Sequence, residues 1–538
     1  MAFNKMATIL AFLTLPAMAM GQGATDIYNM SRTELRGTAR YMSMAGAFGA
    51  LGGDISAIDL NPGGIGVYRS SDLCFTLDLD AQSAKTSEGS SSVSKSQTKF
   101  ECNNVGYVGA YHFDTGSLRN VNWGLVYSRP VSFNRRYRGN FNSLKTSLSN
   151  YVANTTNAES WTTDELDDSE HYSYNPYYES NAPWMSILAY NNFLINPTGS
   201  SHFSGLFDDS SSATGTYEVI EEGYVDQFSF TFGGNFSNIL YWGVALGVTH
   251  IDYNSTTYYG EVVSDASIAV VEDGSDTGET TEGTASYGVA TDLKTFGDGY
   301  NFKAGVIIRP INELRIGVAV HTPTYYSLTD QTVTYTTGTF TPNSTALESY
   351  STSGATNDGY FDETDYRIRT PWKYILSVAA VIGSKGIISF DYECQDYSSI
   401  QYRTDNGYRD PDIKTDISNY YKAMSIFRIG GEYRITPGLS VRAGYSYQNS
   451  PVKHSAYSGD EIIYTVSTTP AYTFDKSTQY LTCGLGYRYD YFYADIAYVH
   501  KVKKGEYHAF TAYDDEPPPT ATLKSTSNRF ALTLGIRF

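Results

Sequence analysis

The chain has 538 residues, of which 41% are hydrophobic, 15% aromatic and only 18% charged, and it carries a formal net charge of −19. Tyr and Gly contribute 48 residues each against 17 Pro and 4 Cys. The aromatic content excludes disorder, and the length and sparse cysteines exclude a disulfide-stapled miniature fold. The acidic balance speaks against nucleic acid, whose phosphates call for clustered Lys and Arg, and no run of about 18 apolar residues offers a transmembrane helix.

Met1 to Gly21 reads as a secretory signal peptide (residues 1–21), with basic Lys5, an apolar stretch from Met6 to Met18 and small residues at Ala17, Ala19 and Gly21. A mature start at Gln22 follows, and export beyond the inner membrane. Residues 22–71 show no strand alternation. They are rich in small residues, from Ala39 through Ala45, Gly46, Ala47, Gly49 and Gly52 to Gly53, and then reach Asn61-Pro62-Gly63-Gly64. Small side chains permit close backbone approach, and Asn-Pro-Gly-Gly is a turn signal. This segment predicts a compact hatch too short to be a large plug domain, with Asn61, Pro62, Gly63 and Gly64 as its gating turn.

From residue 72 the period changes to two. Trp242, Val244, Leu246 and Val248 alternate with Gly243, Ala245, Gly247 and Thr249; Leu481, Cys483, Leu485 and Tyr487 alternate with Thr482, Gly484, Gly486 and Arg488. The last strand places Phe530, Leu532, Leu534, Ile536 and Phe538 on one face, opposite Arg529, Thr533 and Arg537. Apolar residues outside with small or polar residues inside are the code of a transmembrane β-barrel. Short connections near 114–120, 236–238, 310–313, 383–386, 436–438 and 489–490 alternate with long polar ones near 82–98, 138–214, 257–283, 337–359, 399–417, 451–473 and 504–523. Thirteen connections predict fourteen strands over 72–538, with both ends periplasmic. The expected fold is all-β, an antiparallel barrel that must close, because an open edge cannot find hydrogen bonds in lipid. Tyr111, Trp123, Tyr127, Trp242, Tyr253, Trp372 and Tyr498 suit interfacial girdles. Terminal Phe538 resembles the signal that such barrels present to the barrel-assembly machinery. The barrel is expected in the outer membrane as a monomer, among its lipid and lipopolysaccharide.

Met44-Ala45-Gly46-Ala47 through Asn61-Pro62-Gly63-Gly64 resembles the hatch of the FadL-type outer-membrane transporters of long-chain fatty acids and toluene, with Gly63 standing where that family usually has Ala. Tyr300-Asn301-Phe302-Lys303, His321-Thr322-Pro323-Thr324, Thr370-Pro371-Trp372-Lys373 and Phe427-Arg428-Ile429-Gly430 resemble that family's Bacteroidetes-like branch. The resemblance runs from about residue 37 to the end. It implies a fourteen-stranded barrel, a hydrophobic small-molecule ligand and an inward kink of the third strand, where Pro130 interrupts Val121, Trp123, Leu125 and Tyr127 and marks a lateral opening.

Catalytic signatures are absent, with no Gly-x-Ser-x-Gly, His-Glu-x-x-His or Cys-x-x-Cys, so neither an enzyme nor a cofactor or metal is expected. His112 and His321 have inward parity, as do Cys74 and Cys102 of the first hairpin, which stand as a cross-strand disulfide or as free thiols. Glu432, Arg434, Arg442, Arg488, Asp495, Arg529 and Arg537 are read as a lumen charge network, pairing with one another or with Asp54 and Asp59 of the hatch. Within 138–214, Trp184, Ile187 and Leu188 have helical spacing after Pro183. They form a substrate groove at the surface or pack against other loops. The expected function is passive uptake of hydrophobic small molecules through groove, lumen and a hatch or lateral exit. The alternatives are haem uptake and a structural or adhesive barrel.

Overall fold

The computed structural model describes residues 23–538 apart from 90, 170–172, 200, 273–274, 458–462, 464, 466–467 and 512–517; the expected signal segment lies outside the described residues. Helices α1 (Ala24–Ser31), α2 (Ala39–Ser43) and α3 (Ile55–Leu60), followed by a 3₁₀ turn over Pro62–Val67, precede the first strand.

The barrel strands are β1 (Asp72–Glu88), β2 (Ser91–His112), β3 in two pieces (Leu118–Ser132 and Arg135–Leu144), β4 (Ser212–Phe236), β5 (Leu240–Glu272) and β6 (Ser275–Ile311). Then come three further interrupted strands, β7 (Leu314–His321 and Tyr325–Pro342), β8 (Asp362–Arg369 and Lys373–Ile382) and β9 (Gly386–Asp396 and Gln401–Thr404). The wall is completed by β10 (Ala423–Arg434), β11 (Leu439–Gln448), β12 (Tyr472–Tyr489), β13 (Phe492–His508) and β14 (Thr520–Arg537). Each strand pairs antiparallel with its neighbours. β14 returns to β1 from Asp72↔Arg537 to Ser87↔Thr522, and Ser71 and Phe538 exchange backbone hydrogen bonds at the seam. Fourteen strands thus close without an edge, as lipid requires.

Alternation sets the faces. Phe530, Leu532, Leu534, Leu481 and Leu485 are exposed on the outer wall, whereas Thr482, Arg529 and Thr533 are buried inside. Tyr253 corrects the girdle expectation: it lies inward, 5% exposed, with its ring 4.8 Å from that of Phe133. Its odd number shares the inward parity of Gly243 and Thr249, not that of Val248.

Several stretches expected as loops are strand. β5 runs for 33 residues, roughly 110 Å at about 3.3 Å per residue, whereas about ten residues suffice to cross a bilayer. The hairpins around residues 82–98 and 257–283 therefore continue the wall outward. Ser255, Tyr259 and Val263 are buried on the inner side while Thr256 and Tyr258 are exposed on the outer one, so the period of two persists after the outer face becomes polar. Inside this extension α4 (Leu148–Ala158) and α5 (Trp184–Asn191) form a cap, in one apolar cluster with Tyr259, Val263, Ala285 and Tyr287 of the wall.

Candidate functional site

The hatch lies directly on the barrel backbone, and inward glycines make that possible. A Cβ at Gly243 would stand 2.1 Å from the Pro62 carbonyl oxygen, one at Gly305 2.0 Å from Asn61 Oδ1, and one at Gly317 2.2 Å from the Gly49 carbonyl oxygen. Gly430 and Gly444 meet Met44 in the same way, and Gly484 meets Ser43. Small-residue runs in the hatch and glycines in six strands are thus two halves of one contact.

The predicted gating turn sits in this seam. Asn61 caps the 3₁₀ turn, its Oδ1 accepting from Gly63 N at 3.0 Å. Its Nδ2 donates to the carbonyls of Gly49 at 2.7 Å and of Val306 in β6 at 3.2 Å. Pro62 occupies the first position of the turn, where no N–H is needed. Gly63 is not in the left-handed region; what demands glycine there is the wall, because its Cβ would stand 2.9 Å from both Gly305 O and Val306 Cα. Gly64 packs on Gly52, whose Cα would be 3.0 Å from an added Cβ.

Charge fixes the hatch in the lumen. Arg40 of α2 pairs with Glu432 at 3.0 Å, Glu432 with Arg442 at 2.5 Å, and Arg442 with Asp495 at 2.5 Å. Arg36 reaches Glu101 at 2.7 Å and Asp78 at 3.2 Å, and Asp59 holds Lys303 at 3.0 Å while accepting from Ser229 and Ser128. Arg529 pairs with Asp80 and Arg537 with Asp72. Glu432 and Arg442 therefore form the expected pair. Arg434 and Arg488 do not join it: both lie at the exposed periplasmic ends of their strands, without an ion pair among the described residues. Nor does Asp54, whose carboxylate caps α3 at Ser56 N and accepts from Thr38 Oγ1. Sequence reasoning missed the hatch cations Arg36 and Arg40. Two arginines in a small-residue segment bound for a lumen were the available signal, since buried charge has to be paired.

Pro130 lies within β3, where pairing with β4 skips from Ser128↔Gln227 to Val131↔Val225. The β2–β3 ladder ends at Asn104↔Ser128. Beyond it the gap is spanned by side chains: Glu101 accepts from Ser132 Oγ at 3.2 Å and Asn134 Nδ2 at 3.3 Å, and pairs with Arg129 at 3.5 Å. Glu34 N donates to the Pro130 carbonyl. Exposed Phe100 and Phe228 mark the apolar band beside this point, and the Arg129–Asp226 pair at 2.7 Å stands beyond Phe228 on the extracellular side.

Trp184, Ile187 and Leu188 are buried, at 7%, 0% and 1% exposure, so the surface-groove expectation gives way to packing. Trp184 Nε1 donates to Tyr177 O at 3.0 Å, and Ile187 belongs to the cap cluster. Glu261 of β5 anchors the cap, accepting from Leu148 N at 3.0 Å, Ser147 Oγ at 2.7 Å and the Tyr259 and Tyr287 hydroxyls. Burial pushes its carboxyl above the ordinary range against these hydrogen bonds.

Two small cavities lie between cap and hatch. One of about 80 Å³ is lined by Asn29, Glu221, Tyr253, Tyr472 and Tyr507, and one of about 30 Å³ by Tyr28, Arg32, Tyr397, Met424 and Tyr480. Arg32 Nε is buried without a hydrogen-bond partner, and the guanidinium lies 5.2 Å from the Phe133 ring centre. His321 Nε2 is engaged with Leu60 O at 2.9 Å, and His112 is exposed near Arg69. Cys74 and Cys102 are free: Cys74 faces Gly106 across the hairpin, and the irregularity after Thr76 puts Cys102 on the outer face opposite Leu77.

A closed fourteen-stranded wall around a charged, tightly seated hatch defines a hatch-bearing outer-membrane barrel. Residues 242–512 match the family described as "Outer membrane protein transport protein (OMPP1/FadL/TodX)", about half of the chain, and the protein belongs to that family of outer-membrane transporters. Among solved structures it is similar to a Pseudomonas aeruginosa FadL homologue, with 12% identity and a TM-score of 0.50 over 94% of this chain and 99% of the other. The Pseudomonas putida toluene transporter TodX has 11% identity and a TM-score of 0.46 over 94% and 100% of the two chains. The Ralstonia pickettii toluene transporter TbuX has 13% identity and a TM-score of 0.40 over 94% and 99%. No curated protein matches the sequence.

Proposed function

We propose that the barrel takes up hydrophobic small molecules such as long-chain fatty acids, passively, through the lumen between cap and hatch. The observation that carries this reading is the combination of a transporter-family wall with a hatch seated on its inner face and two small cavities in the lumen between hatch and cap. These cavities, of about 80 and 30 Å³, are each smaller than the roughly 300–1,000 Å³ of a ligand pocket, so in this reading the cap or hatch moves to admit the solute. Tyrosine rings supply an apolar yet polar-edged lining for a chain-like solute. Arg32, lying over Phe133 with Nε unpaired in a cavity that also holds the Lys501–Glu34 and Lys503–Asp475 ion pairs, suits an acidic head group. Release runs past the Asn61–Gly64 turn into the periplasm or sideways through the β2–β3 gap at Pro130.

Uptake of a fluorescent long-chain fatty acid by cells lacking the protein, with and without the restored chain, tests the proposal. Restored cells should accumulate label several-fold faster. Equal rates with the barrel present at the surface would overturn it and leave an adhesive or structural barrel.

A further inference from the structure

The outer wall carries a cluster of arginines that the lumen and hatch leave unexplained. On β8, Arg367 and Arg369 point outward, because the residues alternating with them, Tyr366 and Ile368, are buried. On β9, Arg403 is the direct cross-strand partner of Arg367, and Arg369 pairs with Gln401 one step nearer the membrane. Like charges set directly opposite one another on a sheet are destabilising unless something neutralises them. Arg367 has one carboxylate, exposed Asp405 at 3.0 Å. Arg403 has no ion pair or hydrogen bond among the described residues, and Arg369 Nε is buried without a partner, its guanidinium 5.8 Å from the Tyr325 ring centre.

Height on the wall identifies what neutralises them. Below Arg369 on the same strand come exposed Trp372, Tyr374, Leu376 and Val378, the aromatic girdle and then the apolar band. Tyr325, stacked on exposed Tyr300, continues the girdle sideways. Of the carboxylates on this face, Asp365 and Glu363 lie farther from the bilayer and are bonded by Thr329 and Gln331, while Asp298, two strands away at the level of Arg367, is engaged with His250. The cations therefore occupy the level just outside the acyl chains, where a lipid carries its phosphate.

We propose that Arg367, Arg369 and Arg403 form a phosphate-binding site on the outer wall, occupied by a phosphorylated glycolipid of the outer leaflet. Guanidinium forks match phosphate oxygens bidentately, and the acyl chains of such a lipid run down over Tyr374, Leu376 and Val378. The site depends on the barrel's place in the membrane and is independent of what the lumen transports.

Native mass spectrometry of the purified full-length barrel in detergent tests the assignment with diphosphoryl lipid A, dephosphorylated lipid A and inorganic phosphate as probes. The native chain should retain diphosphoryl lipid A and not the dephosphorylated form. The combined Arg367→Gln, Arg369→Gln, Arg403→Gln variant should bind about a hundredfold more weakly, each basic side chain at an anionic lipid surface being worth about a factor of five. Should the triple variant lose its heat-modifiable gel shift, Arg403→Gln alone carries the test, with a loss of about fivefold. Equal retention by native and variant chains, or of both lipid A forms, would overturn the site. Inorganic phosphate binding as tightly as the lipid would overturn the glycolipid as its occupant.

Discussion

The amide of Asn61 joins two hatch segments to the wall of β6, bonding Gly49 O, Val306 O and Gly63 N at once. Its replacement by Ala removes all three bonds; Val306 stays in the sheet ladder, whereas Gly49 O and Gly63 N each lose a buried partner, worth about 1–3 kcal/mol apiece. Hydrogen exchange over residues 49–66 should accelerate by at least about fivefold in Asn61→Ala, with the barrel intact; unchanged exchange would show that the glycine seam alone holds the turn. Asp330 makes a different demand. It is 1% exposed on the extracellular extension of β7, where burial pushes its carboxyl up to about 8 despite the Tyr366 hydroxyl bonded to it at 3.1 Å. A raised folded-state value means that the folded chain holds a proton which the unfolded one releases. The stabilisation is full below the ordinary carboxylate value and is lost as pH rises from about 4 towards about 8, by about 1.4 kcal/mol per pH unit inside that window. Asp330→Asn should therefore be more heat-resistant than the native chain at pH 8 and match it near pH 4. A stability difference independent of pH would assign the effect to packing.

Among the elements, β3 departs furthest from ideal pairing. Because Pro130 donates no hydrogen bond, β3 slips against β4 and loses its β2 ladder beyond Ser128. If ligand leaves through this gap, bridging Glu101→Cys to Ser132→Cys with a short thiol cross-linker, in a chain whose four native cysteines are Ser, should cut uptake several-fold. Undiminished uptake by fully cross-linked barrels would remove the lateral route. The Pro130 interruption was legible in the sequence because proline's backbone chemistry is local. Strand number was legible for a related reason: the period of two and the polarity of the turns are imposed by lipid on every strand. The extracellular extension was not. Above the membrane the outer face of β5 turns polar at Asn254 and Thr256 while Tyr259 and Glu261 turn inward, and that pattern reads as loop until a cap is known to fill the interior. Trp184 and Ile187 misled for the complementary reason, since an apolar helix announces burial without naming its cover. Arg434 and Arg488 have the parity of Arg442 but stand at strand ends, and parity carries no information about height.

For the molecule as a whole, the question is whether the hatch moves. Its seam combines glycine-to-backbone contacts with ion pairs such as Arg40–Glu432 and Arg36–Glu101, and losing one partner of a buried pair costs about 3–5 kcal/mol. Wholesale ejection breaks many such pairs together, whereas a shift confined to the segment around Gly49 and Asn61 breaks few. That segment can be locked. A Cβ at Gly49 would lie 3.0 Å from Ser377 Cβ in β8, about half an ångström short of the range that a disulfide spans. Gly49→Cys with Ser377→Cys, again in a chain free of other cysteines, should form a bridge on oxidation that pins the hatch to the wall. If substrate passes the hatch, oxidised cells should lose most uptake and regain it with a membrane-permeant reductant, while the heat-modifiable barrel band stays constant. Full uptake with the bridge closed would mean that the seam is permanent and that ligand leaves the lumen above it, through the gap beside Pro130.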